Sequence, residues 1–196
     1  MPRRLVNQSD AAPASGEALL RLADVQHLGF VVESIEDEAR RWIKRFGVGP
    51  WLVSEFCLPG NEPRTELTTA FAQWGNLQVE LLMQRNSVGS CFRDWLRDDQ
   101  SSRLHHICTH TSRFEQDLNE ITAAGGSVEL LFGLERGTEA EPSRFAMVAS
   151  PLADGIFHEF TQPGTFVAAQ SEAVRNSARG WDGSNAIRPM PLIVPT

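Results

Sequence analysis

Cysteine is scarce: Cys57, Cys91 and Cys108 form no CxxC pair, and an odd number in a chain of 196 residues does not build a secreted disulfide framework. Reduced thiols and a cytoplasmic location are the expectation. Basic charge is also short. With 18 Lys and Arg against 25 Asp and Glu, the formal net charge is −7, which excludes a nucleic-acid protein held by a diffuse basic field. No apolar run approaches the ~18 residues of a membrane span. Residues 1–16 lack the apolar core of about 7–15 residues that a secretory signal requires. These absences leave a small-molecule substrate as the default partner, with no nucleic acid and no membrane.

The apolar content of 41% is enough for one large domain, or for two small modules around a shared core. Residues 1–23 are polar and rich in Ala, Ser and Pro, and read as a flexible arm. The ordered domain is expected from Asp24. It starts with an apolar strand, VQHLGFVV (25–32), and a helix over 34–49 that opens on Ser34 and acidic residues and closes at Gly47 and Gly49. Ile35, Ala39, Trp42 and Phe46 share one face of that helix. Strand-like runs follow at 50–57, 66–74 and 77–83, broken by a Pro/Gly/Asn loop (59–64) and a Gly75-Asn76 hairpin signal. The order is β-α-β-β-β.

A second pass repeats it. LHHICTHT (104–111) reads as a strand, 112–126 as a helix with Phe114, Leu118 and Ile121 on one stripe, and 127–132, 143–149 and 156–161 as strands. This divides the chain into module one (24–84), a connector (85–103), module two (104–163) and a tail (164–196). In the tail, residues 165–181 form a helix with Phe166, Ala169, Ala173 and Val174 as its apolar stripe. The tail either covers its own domain, lids a site or straps a dimer. The last role is favoured.

A single offset of 79 relates the halves: it carries His27 onto His106 (106 − 27), Glu80 onto Glu159 (159 − 80), Trp42 onto Ile121 and Gly47 onto Gly126. Each half thus holds a His in its first strand and a Glu in its last. Strand alternation groups His27 with Gly29 and Val31, Glu80 with Gln78 and Leu82, His106 with Cys108 and His110, and Glu159 with Phe157 and Thr161. Two such modules about a pseudo-twofold axis would form an open cup on which the four residues converge. Two imidazoles and two carboxylates suit a divalent ion such as Zn, Fe, Mn, Co or Ni. A lone His or Glu in a strand is ordinarily a surface residue. Both Glu residues, however, lie in apolar runs, QVELLM and IFHEFT, where an unpaired carboxylate would be costly.

The pattern QHLGFVV…SIEDEARRWIKRFG…QVELL…LHHICTH…ADGIFHEF over about 24–163 resembles the vicinal oxygen chelate superfamily, which includes glyoxalase I, methylmalonyl-CoA epimerase, extradiol dioxygenases and bleomycin-binding proteins. The resemblance implies an α+β fold of two tandem βαβββ modules in an open, cup-shaped mixed sheet. It also implies a metal bound by His27, Glu80, His106 and Glu159, and a homodimer. Occupancy of all four positions is similar to the isomerase, epimerase and lyase branch. There the metal would carry the oxygens of an enolate or enediolate while a carboxylate takes a proton beside a carbonyl. Glu159 is favoured as base and Glu80 as the more permanent ligand, with near-symmetry leaving the reverse open. A non-haem iron dioxygenase and a non-catalytic binding or resistance protein are the alternatives.

Other residues are assigned lesser roles. His105 and His158 alternate away from the ligands, and Cys108 and His110 are more ordinary strand residues than cup-wall groups. Arg64, Arg85, Arg103 and Arg144 lie where an anion could be held, though most such arginines are simply solvated. The loop SPLADG departs from the DPDG turn frequent before the closing strand, and the tail has no counterpart in a minimal member.

Overall fold

A computed structural model describes residues 25–60, 62–93, 95–134, 142–149 and 155–191. The expected arm at 1–23 and most of the SPLADG loop lie outside these residues. The elements follow the chain as β1 (Val25–Val32), α1 (Ile35–Phe46), β2 (Trp51–Cys57), β3 (Glu66–Trp74), β4 (Leu77–Gln84), β5 (Ser102–His110), α2 (Phe114–Ala123), β6 (Ser127–Leu134), β7 (Ser143–Ala149), β8 (Phe157–Gln162), α3 (Thr165–Ala178) and β9 (Ile187–Pro189). The repeated β-α-β-β-β order is present in full. Among the described residues, no helix is long and apolar enough to cross a membrane.

All nine strands form one mixed sheet in the order β6-β7-β8-β5-β1-β4-β3-β2-β9. Antiparallel pairing of β1 with β5 joins the two halves at its centre, and β4 and β8 flank them as parallel neighbours. Helix α1 shows why the sequence breaks where it does. Ser34 Oγ accepts from the Asp37 amide at 3.2 Å, Glu36, Asp37 and Glu38 face the positive end of the helix dipole, and Gly47 closes the helix at φ 66°, a conformation that favours glycine.

Strand alternation sorts the side chains to two faces. Val79 and Leu81 of β4 pack beneath α1 with Ala39, Trp42 and Trp51, while Ala146, Val148 and Phe160 pack beneath α2 with Phe114 and Ile121. The residues between them, Leu82 and Met147 among others, point the other way, with Val31, Leu67 and Phe92. Phe46 departs from the expected apolar face of α1. It is 54% exposed and tilts against Trp42 and Trp74 instead.

The tail folds onto its own chain. Helix α3 buries Phe166, Val167 and Val174 and packs against β3 and β7. Strand β9 extends the sheet beyond β2, with Trp51 and Met190 amides donating to Ala186 and Val53 carbonyls, each at 2.7 Å. Trp181 explains the docking: its ring lies over Gly49, where a Cβ would come within 2.6 Å of it.

Candidate metal centre

Four adjacent strands, β8-β5-β1-β4, carry Glu159, His106, His27 and Glu80 in that order. The four side chains expected from the repeat are brought together. His27 Nε2 and His106 Nε2 stand 3.0 Å apart. Glu80 Oε2 lies 3.4 Å from the first and 3.2 Å from the second. Glu159 Oε2 lies 3.5 Å from His106 Nε2, and its Oε1 lies 3.9 Å from His27 Nε2. All four residues are at most 9% exposed. Donor atoms about a divalent ion at about 2.1 Å, separated by angles of 90–110°, stand ~3.0–3.4 Å from one another. His27, His106 and Glu80 meet that spacing and that donor chemistry, and Glu159 lies just outside it at 3.5–3.9 Å.

The backbone register makes room for the set. Gly29 faces Glu80 on β4 and His106 on β5. The His106 ring fills the space above it so closely that a Cβ would sit 2.0 Å from His106 Cε1. Under the offset of 79, Gly29 corresponds to Cys108, which faces both His27 and Glu159. The halves are therefore not equivalent. One imidazole rests on bare backbone and the other lies beside a fully buried sulfur, and His27, Cys108 and Glu159 form a second close group of donors.

His105 does not follow the expected alternation. The register passes from Gly29↔His106 to Phe30↔Leu104, leaving His105 as the extra residue of a β-bulge. Its ring packs between Phe92, Trp95 and Phe157 and contacts His106 edge-on. His105 Nε2 lies 3.1 Å from the Cys91 carbonyl, and its Nδ1 lies 3.0 Å from His106 Nδ1. A carbonyl only accepts, so His105 carries its proton on Nε2. Its bare Nδ1 then accepts from His106 Nδ1–H, which leaves the His106 Nε2 lone pair aimed at the cluster. Burial, and then the neighbouring His106, push the His105 pKa down to about 3, so the ring is neutral.

Electrostatics distinguish the ligand candidates. Burial works against charge on Glu80, but the adjacent His106 and His27 outweigh it and hold the carboxyl at about 2. For His27, burial opposes protonation, yet Cys108 and Glu80 raise its pKa well above the ordinary value. Glu159 is held differently, its Oε1 accepting from Thr161 Oγ1 at 2.8 Å. Burial pushes the Cys108 thiol up to about 11.

His110 lines the cup, while His158 bonds Thr109 Oγ1 at 2.8 Å and tilts over Phe160 on the helix-covered face. The four arginines are engaged elsewhere. Arg64 pairs with Glu62, Arg85 with Glu55 and Glu66, Arg103 lies over the Trp95 ring, and Arg144 pairs with Glu115 above Phe114.

A family profile described as the Glyoxalase/Bleomycin resistance protein/Dioxygenase superfamily matches residues 26–143. The chain belongs to that superfamily. Methylmalonyl-CoA epimerase from Mycobacterium tuberculosis is similar to this vicinal oxygen chelate protein at 20% identity, over 74% of this chain and 91% of the other, with a TM-score of 0.49. A hypothetical protein from Bacillus halodurans C-125 shares 19% identity over 71% and 93%, at 0.50. A 4-hydroxymandelate synthase variant from Streptomyces coelicolor shares 14% over 71% and 49%, at 0.52. No functionally curated protein matches the sequence. The likenesses at 0.50 and 0.52 show the fold.

Gly29 was not singled out as a site residue from the sequence, where it appeared only as a member of an alternating face. A glycine directly across a central strand pair from a ligand candidate is the signal that could have found it. Substituting Gly29→Ala is expected to drive the His106 ring from its place while α1 and the outer strands stay folded. Long-range ¹⁵N–¹H correlation of the histidine rings measures this, and an unchanged His106 signal would contradict it.

Proposed function

We propose that His27, Glu80, His106 and Glu159 hold one divalent ion, and that the protein is an isomerase, epimerase or lyase that moves a proton beside a carbonyl. The observation that carries this reading is the meeting, on four adjacent strands in an apolar cup, of two imidazole nitrogens and one carboxylate at ligand spacing with a second carboxylate 3.5–3.9 Å from the imidazoles. Zn, Fe, Mn, Co and Ni all accept such donors. Any of them would supply Lewis-acid stabilisation to negative charge developing on a substrate oxygen.

The protein's own groups divide the remaining work. Glu80, the carboxylate nearer to both imidazole nitrogens, is the permanent ligand. Glu159 is the base: it stands farther from both imidazoles than Glu80 does, and Thr161 keeps its carboxylate oriented. It takes the proton from the carbon beside the carbonyl and returns it to complete the isomerisation. His105 positions His106 by fixing its tautomer. The apolar wall excludes water, which strengthens every charge interaction inside it.

One observation favours a second reading. His27, Glu80 and His106 group within 4.8 Å as a two-His, one-carboxylate set, the arrangement of non-haem iron oxygenases. Oxygen uptake by the Fe(II)-loaded protein would select that reading, and failure to bind any metal would select a non-catalytic binding protein.

Two variants test the proposal. In deuterated buffer, across CoA thioesters and 2-oxo compounds, Glu159→Gln is expected to keep the metal and lose α-proton exchange by ~10²-fold or more. Full exchange in that variant contradicts the assignment of the base. His105→Phe keeps the aromatic packing and removes both ring nitrogens. It is expected to raise the metal Kd about 10–100-fold with an unchanged circular dichroism spectrum, and an unchanged Kd contradicts its positioning role.

A further inference from the structure

We infer that the part of the substrate lodged against the cup wall, beyond its metal-facing oxygens, is apolar and uncharged, an aryl group or a short alkyl chain without carboxylate or phosphate. The inference rests on the proposed metal chemistry only for the oxygens. The cup wall carries the rest.

That wall is built from both halves and the tail. Phe56 and Leu67 come from β2 and β3, Phe132 and Met147 from β6 and β7, Leu82 from β4, and Phe166 from α3. Phe132 stacks on Phe145 at 4.7 Å with the rings 10° from parallel, which makes a flat apolar surface. The cavity measures about 110 Å³. An engineered apolar cavity of about 150 Å³ in another protein takes up benzene, so this space suits one ring or a short chain.

Several polar groups on the wall are already partnered within the protein. Ser54 and Thr69 bond one another at 3.1 Å, Gln78 donates to the Ser171 carbonyl at 3.0 Å, and Thr161 donates to Glu159. An apolar ligand leaves all of these bonds intact, whereas an anionic one finds no cationic side chain in the lining.

No Lys or Arg lines the cup among the described residues. Arg64, Arg85 and Arg144 pair with carboxylates and Arg103 lies over Trp95, while the exposed Arg175 of α3 stands outside the lining, near enough for its charge to act on His110. His110, held at about 4 by burial and by the neighbouring His27, is neutral. The charges at the floor are Glu80 and Glu159, which a divalent ion balances. An anion against the wall would meet apolar rings on one side and these carboxylates on the other.

Hydroxamates of increasing chain length test the inference on the full chain loaded with Co(II), because their two oxygens chelate the ion and leave the substituent to report on the wall. Affinity is expected to rise about 4-fold per methylene from acetohydroxamate to pentanohydroxamate. Glutaric monohydroxamate, which ends in a carboxylate, should bind at least ~10-fold more weakly than pentanohydroxamate. Phe132→Ala, at a wall position away from the metal, should flatten the chain-length dependence.

Affinity independent of chain length, or equal binding of the carboxylate-ended probe, would overturn the inference while leaving the metal proposal standing. If no hydroxamate binds because no ion is held, the metal proposal fails instead. The wall is then tested on metal-free protein by saturation-transfer NMR with benzyl alcohol against phenylacetate. Binding of the alcohol alone supports the inference, and binding of phenylacetate alone or of both equally overturns it.

Discussion

Two imidazoles stand 3.0 Å apart, and two carboxylates each lie 3.2–3.9 Å from them, in a place that solvent scarcely reaches. Burying one carboxylate is costly, and burying two side by side is more so, because like charges in a low-dielectric site repel with little screening. The sequence carries that cost twice, in QVELLM and IFHEFT. The rest of the molecule is organised around this cluster: a central pair of strands that sets the register, a wall that keeps it dry, and a tail that folds over one side.

The register is where backbone becomes chemistry. Pairing β1 with β5 antiparallel puts Gly29 under His106 and Cys108 beside His27, so one pairing positions both imidazoles. The parallel neighbours β4 and β8 then bring one carboxylate to each side. Because Gly29 and Cys108 are equivalent under the repeat, their difference is the plainest break in the internal symmetry. It separates a ring over open backbone from a ring against a thiol, and it accompanies a tightly held Glu80 and a looser Glu159.

Much of this was legible in the sequence because strands and helices advertise their period. The repeated order, the offset of 79 and the alternation of Val79, Glu80 and Leu82 followed from counting residues along regular elements. Counting failed where a residue is added or where contact is made at long range. The bulge at His105 inserts one residue into β5, which breaks alternation and puts a second imidazole behind the first. The tail helix was readable from its apolar stripe, but β9 was not. A three-residue strand is defined by its partner β2 and by Trp181 seating on Gly49, neither of which a local pattern contains. Phe46 likewise fits the helical period of α1, yet it stays half-exposed against Trp42 and against Trp74 at the end of β3.

The central claim is that the four donors share one ion, and X-ray absorption of the Co(II)-loaded full chain addresses it directly. The account predicts a first shell of two imidazole nitrogens with oxygen ligands at ~2.0–2.2 Å, with one nitrogen lost in His27→Ala and one in His106→Ala. A first shell without imidazole, or one unchanged in both variants, would contradict it.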